Sequence, residues 1–136
     1  MYPPELVKPM REDLTSIGFK ELHTEAEVDQ AIAEKGTTLV VVNSVCGCAA
    51  ANARPAARIS LQNSKRPDHL VTVFAGVDKE ATEKARDYMV PFPPSSPSMA
   101  LFRDGELVHM LERHHIEGRP AEMIADNLTE AYNEFC

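Results

Sequence analysis

Two thiols separated by a single glycine, Cys46-Gly47-Cys48, are the residues of this chain best placed to do chemistry. A thiolate, not a thiol, is the nucleophile of disulfide exchange. The pair follows the β-branched run Thr37–Val42 and leads into an Ala-rich stretch, 49–58. It therefore falls at a strand-to-helix junction, with a helix expected to start near Gly47 or Cys48. The first amides of a helix lack intrahelical acceptors, and its N-terminus carries partial positive charge; both favour an ionised sulfur. Cys46, at or just before that start, is expected to have the lower pKa and the greater exposure. Cys48 is expected to be shielded by the first turn. Gly47 removes bulk between the sulfurs and lets a large partner approach.

The spacing sets what the pair can do. A disulfide needs Cα atoms roughly 4.4–6.8 Å apart, which residues i and i+2 reach only in a tight turn. So small a ring predicts a strained, fairly oxidising bond. The site either cycles through a labile Cys46–Cys48 bond or uses Cys46 alone on mixed disulfides. Two other readings stand beside this one. The cysteines can simply pack a helix start, or they can hold zinc or an iron–sulfur cluster. Zinc wants four ligands and the pair supplies two. Cys136, His109, His114 and His115 could add to them, but no second tight ligand pair is apparent, and no metal residue is assigned.

A second feature is Ser95-Ser96-Pro97-Ser98, directly ahead of a strand. Pro97 is either a cis-proline or a plain turn proline. In the cis form the Ser96 backbone would turn outward, free to pair with an extended substrate. His114-His115 reads as a solvated or structural pair. Arg54 and Arg58 read as surface arginines, and Cys136 as a terminal residue rather than a second resolving thiol.

The positioning elements follow from periodicity. Residues 4–17 predict a helix with Leu6, Val7, Met10, Leu14 and Ile17 on one face, ended by Gly18. A short strand follows at Phe19–Leu22. Thr24 and Glu27 form a capping-box pattern for a second helix, ended by Gly36. Pro55 should kink the Ala-rich helix or mark its true start. Leu70–Ala75 is a second buried strand, and Asp78 caps a helix running to about Met89. Val90–Pro97 is a rigid loop. Ser98–Phe102 and Glu106–Leu111 form a hairpin about Asp104-Gly105. A last helix begins near Pro120, with Met123, Ile124, Asn127, Leu128, Ala131 and Phe135 on its inner stripe. The order predicts an α/β domain of three layers, with parallel pairing in the middle and antiparallel strands from the hairpin.

The chain has 136 residues, which fits one domain spanning 1–136. Fourteen Lys and Arg stand against 21 Asp and Glu, a formal net charge of −7. That balance argues against nucleic acid and anionic membranes as partners. No apolar run approaches the roughly 18 residues that span a bilayer. The opening residues lack the basic patch and apolar stretch of a signal peptide, so a cytoplasmic location is expected. Three cysteines, an odd number, make a structural disulfide framework improbable there.

A strand, Cys46-Gly47-Cys48, a Pro-containing helix and Ser96-Pro97 ahead of a strand together resemble the thioredoxin superfamily. The string Val41-Val-Asn-Ser-Val-Cys-Gly-Cys-Ala-Ala50 is similar to the bacilliredoxin family. So are Ala53-Arg-Pro-Ala-Ala57, Phe74–Ala81, Pro94–Leu101 and Arg113–Gly118. The resemblance implies a thioredoxin-like three-layer domain, a mixed sheet with helices on both faces and an extra N-terminal helix. It implies a thiol–disulfide oxidoreductase that removes bacillithiol, a low-molecular-weight thiol, from protein mixed disulfides. Cys46 would be the attacking thiolate, Cys48 the possible resolving thiol and Pro97 a cis-proline, with Gly47 and Ser96 at the substrate. The chain departs from ordinary thioredoxin in having CxC in place of CxxC and no tryptophan. No resident cofactor is expected; bacillithiol enters as a co-substrate. Expected partners are bacillithiolated proteins, bacillithiol and a reductase for regeneration. A weak disulfide isomerase or oxidase, and a metal-binding module built on the CxC pair, are the alternatives.

Overall fold

The computed structural model describes residues 2–136. In chain order the elements are α1 (Pro4–Thr15), β1 (Lys20–Glu21), α2 (Glu25–Ala33) and β2 (Thr37–Asn43). A π-helical turn, Ala49–Ala53, then leads into α3 (Arg54–Ser60). There follow β3 (His69–Phe74), α4 (Lys79–Asp87), β4 (Ser98–Arg103), β5 (Glu106–Leu111), α5 (Arg113–Ile116) and α6 (Ala121–Phe135).

The five strands form one sheet in the order β1-β3-β2-β4-β5. β3 pairs parallel with β1 and β2, while β4 runs antiparallel to both β2 and β5. Because side chains alternate across a strand, β2 and β4 feed two cores. Leu39, Val41, Met99 and Leu101 face α1, α3 and α6, where they meet Leu14, Ala56, Ala57, Ile124, Leu128 and Tyr132. Val40, Val42, Ala100 and Phe102 face α2 and α4, meeting Val28, Ile32, Ala81 and Ala85. All seven residues of β2 are buried, as a strand covered on both faces requires.

Local signals account for the boundaries. Thr24 Oγ1 accepts from the Glu27 amide at 3.1 Å and Glu27 Oε1 accepts from the Thr24 amide at 3.1 Å, a complete capping box. Gly18 takes φ +108°, and the chain reverses there with the Phe19 amide bonded to Leu14 O. Pro55 stands at the start of α3, directly after the π turn.

Four expectations need correction. Leu6 is 45% exposed, because only Val7 and Leu14 of α1 are fully buried. Met123 (52% exposed) and Asn127 lie outside the inner stripe of α6, which consists of Ile124, Ala125, Leu128, Ala131 and Tyr132. Asp78 precedes α4 but its carboxylate does not cap it; it receives Arg11 Nη1 at 2.9 Å and Nη2 at 3.2 Å instead. The short helix α5 went unanticipated.

Tyr132 is fully buried, and burial pushes its pKa up to about 12. Its hydroxyl lies 3.0 Å from Ser60 Oγ. A pKa raised on folding gives stability that is present below the unfolded value, about 10, and lost as pH rises towards 12. Urea denaturation at pH 9 and pH 11.5 should show roughly 2 kcal/mol of this loss in the wild type. Tyr132→Phe should remove that share of the alkaline loss, at a cost near 1 kcal/mol at neutral pH for the missing hydrogen bond. Equal alkaline losses in the two proteins would contradict the assignment.

Candidate active site

β2 ends at Asn43, and three residues later the chain reaches Cys46. The helical turn opens at Gly47, and the Cys46 carbonyl accepts from the amides of Ala49 at 3.0 Å and Ala50 at 3.3 Å. The sequence placed the helix start correctly. The amides of Gly47 and Cys48 belong to the first turn, which has no intrahelical acceptors for them. Cys46 and Cys48 are joined by a disulfide, with Cα atoms 5.5 Å apart. Both are half-buried, so the expected contrast in exposure between them is not marked. Gly47 is exposed, and a Cβ there would meet nothing within 4 Å. The face over the disulfide is therefore open.

Pro97 comes to the same end of the sheet. Val42 near the end of β2 is paired with Ser98 at the start of β4, so Pro97 lies level with Asn43, just below the cysteine turn. The Ser96–Pro97 peptide bond is cis and Pro97 is buried. Val90–Pro91 is cis as well, which the sequence reading did not anticipate. Ser96 is half-buried and its carbonyl accepts from Arg113 Nη1 at 3.3 Å. The Arg113 amide donates to Ser95 Oγ at 3.3 Å. Asn52 Nδ2 donates to the Arg119 carbonyl. The stretch from Arg113 to Arg119 thus ties the proline loop to the π turn beside the cysteines.

Arg54 corrects the reading of a surface residue. It is 3% exposed. Its Nη1 donates to Asn43 Oδ1 and to the Ser44 carbonyl, each at 2.9 Å, and its Nε to Asp13 Oδ2 at 3.0 Å. Asn43 Oδ1 also accepts from the Ser44 amide at 2.8 Å, and Ser44 Oγ from the Cys46 amide at 3.1 Å. A buried polar network therefore underlies the cysteine turn. The one signal for it was position 54's place at the start of α3, a helix that buries Ala56, Ala57 and Ser60 as well. Arg58, in contrast, is exposed as expected.

The remaining candidates lie apart. Cys136 sits at Thr37, the first residue of β2, where burial pushes its thiol pKa up. The length of β2 puts it about 20 Å from the Cys46 turn at about 3.3 Å per residue, too far to resolve an intermediate in the same molecule. His109 Nε2 pairs with Asn127 Oδ1 at 2.6 Å. His115 Nδ1 accepts from the Glu112 amide at 3.0 Å and closes the cap of α5; burial, then the neighbouring His114, lowers its pKa. Among the described residues, Glu112, His114 and His115 form a cluster of metal-ligating types, and it includes neither Cys46 nor Cys48.

This arrangement of strands and helices is that of solved thioredoxins. Oxidised mitochondrial thioredoxin 3 of Saccharomyces cerevisiae superposes with a TM-score of 0.62, at 16% identity, over 90% of this chain and 98% of that one. Oxidised Plasmodium falciparum thioredoxin does so with a TM-score of 0.59, at 19% identity, over 85% and 98%. The fold is thioredoxin-like. A family model described as disulphide isomerase matches residues 2–136. A bacilliredoxin of Cytophaga hutchinsonii is 58% identical over 134 residues, covering 98% of this chain and 99% of that protein. Bacilliredoxin BH1716 of Halalkalibacterium halodurans is 60% identical, covering 99% and 94%. This fold, the Cys46–Cys48 pair at its strand-to-helix junction and the bacilliredoxin relatives together make the protein a thiol–disulfide oxidoreductase. The chain belongs to the bacilliredoxin family.

Proposed function

We propose that this protein removes bacillithiol from protein mixed disulfides in the cytoplasm. The observation that supports the reading most directly is the Cys46–Cys48 disulfide at an open helix start. In the first step the Cys46 thiolate attacks the bacillithiol sulfur of a client. The client sulfur leaves with the bonding pair and takes a proton, and Cys46 now carries bacillithiol in a mixed disulfide. In the second step the Cys48 thiolate attacks the Cys46 sulfur. Bacillithiol departs as a thiol and the Cys46–Cys48 disulfide forms. Two electrons from a low-molecular-weight thiol or a disulfide reductase return the pair to the dithiol. Pro97 and Ser96 border the approach of the client chain, and bare Gly47 leaves room for it.

The test separates the two steps. Reduced Cys48→Ala protein mixed with a bacillithiolated client should acquire one bacillithiol on Cys46, read by intact mass and peptide mapping. The wild type under the same conditions should end as the internal disulfide, two hydrogens lighter. A client that stays modified in both mixtures would overturn the proposal. The family description favours a second reading, disulfide isomerisation. Recovery of activity from a scrambled disulfide protein, with no turnover of the bacillithiolated client, would select it.

A further inference from the structure

Arg54 carries a charge that its surroundings only partly answer. It is 3% exposed, whereas its single carboxylate partner, Asp13, is 50% exposed at the side chain. Water screens the exposed end of that pair far more than the buried one. The other two acceptors, Asn43 Oδ1 and the Ser44 carbonyl, are neutral dipoles. The guanidinium therefore leaves a net positive field beneath the loop 43–46. Its fork also holds that loop in place, since Asn43 and Ser44 are the residues that fix the Cys46 amide through Ser44 Oγ.

The other charged and titratable groups around the loop are few. Cys48 shares the turn. On α1, Arg11 is paired with Glu21 and Asp78. On the proline side, Arg113 is paired with Glu117, and His114 and His115 stand by Glu112. None of these is a cation as deeply buried as Arg54.

We propose that Arg54 is a positioning residue for the Cys46 thiolate: it fixes the 43–46 loop by hydrogen bonds and, through its under-compensated charge, favours ionisation of Cys46 in the reduced enzyme. The inference rests on Cys46 being the attacking thiol, but its readout needs neither bacillithiol nor a client.

The experiment follows the rate of iodoacetamide alkylation of Cys46 against pH, in a reduced Cys48→Ala, Cys136→Ser background so that one thiol reports. Arg54→Met should raise the midpoint by about one pH unit, a roughly tenfold smaller thiolate fraction at neutral pH. Arg54→Lys keeps the charge without the planar fork and should restore most of that shift. Asp13→Asn removes the counter-charge and should move the midpoint the opposite way, downward. That opposite sign is what a merely structural role cannot produce. Should Arg54→Met fail to fold, Asp13→Asn and Arg54→Lys carry the test. An unchanged midpoint in folded Arg54→Met, or an upward shift in Asp13→Asn, would overturn the proposal. A normal pattern of shifts with no client release would instead leave Arg54's role standing and remove the bacillithiol reading.

Discussion

Cys46→Ala is expected to abolish release of client thiol, lowering the rate by at least about a thousandfold, because no other group replaces a lost nucleophile. The position allows no substitute from within the molecule. Cys48 is held two residues further along the helical turn, and Cys136 lies at the opposite end of β2. Cys48→Ala should keep the first turnover near the wild-type rate and stop at the mixed disulfide. Cys136→Ser should leave both steps unchanged. The assay is the appearance of free thiol on a bacillithiolated client in a single-turnover mixture. A Cys46→Ala rate within tenfold of wild type would move the reaction to another residue.

Leu14→Ala should cost about 3–4 kcal/mol of stability, the range for a large-to-small change at a fully buried leucine. Leu14 is 0% exposed and packs in the core between α1, α3 and α6. Leu6, on the same helix, is 45% exposed, and Leu6→Ala should change stability by less than about 0.5 kcal/mol. Urea denaturation of the two variants gives both values. Similar losses in the two would mean that Leu6 is packed as closely as Leu14.

That pair of leucines also marks the limit of pattern reading. Apolar spacing located α1 and its burial of Val7 and Leu14, but a five-residue apolar stripe is wider than the face this helix buries. Leu6 lies about 80° around the helix from Leu14, at the edge of the stripe, while its neighbour Val7 is buried. In α6 the misplacement runs both ways. Met123 looked like a core residue, while Tyr132 and Ala125 fill the interior, because residue size at a contact depends on what faces it across the layer. The β-branched strand, the capping box and the CxC junction were legible because each is decided within a few neighbouring residues. Arg54 was not, since its reason for being inside comes from Asp13 on one element and Asn43 on another. At Pro97 the residues alone leave cis and trans open; the bond is cis, and the sheet sets Ser98 against Val42.

The wide turn at Ala49–Ala53 has its own consequence. The Arg54 amide bonds to the Ala49 carbonyl five residues back, where a regular helix would reach back four. One additional residue advances a helical screw by about 100°. The wider turn absorbs that residue, so the segment that presents the cysteines and the segment that packs Ala56 and Ala57 are offset by one position from regular helical spacing. Changes in the cysteine motif and changes in the packing face can thus be made independently only while this offset is kept.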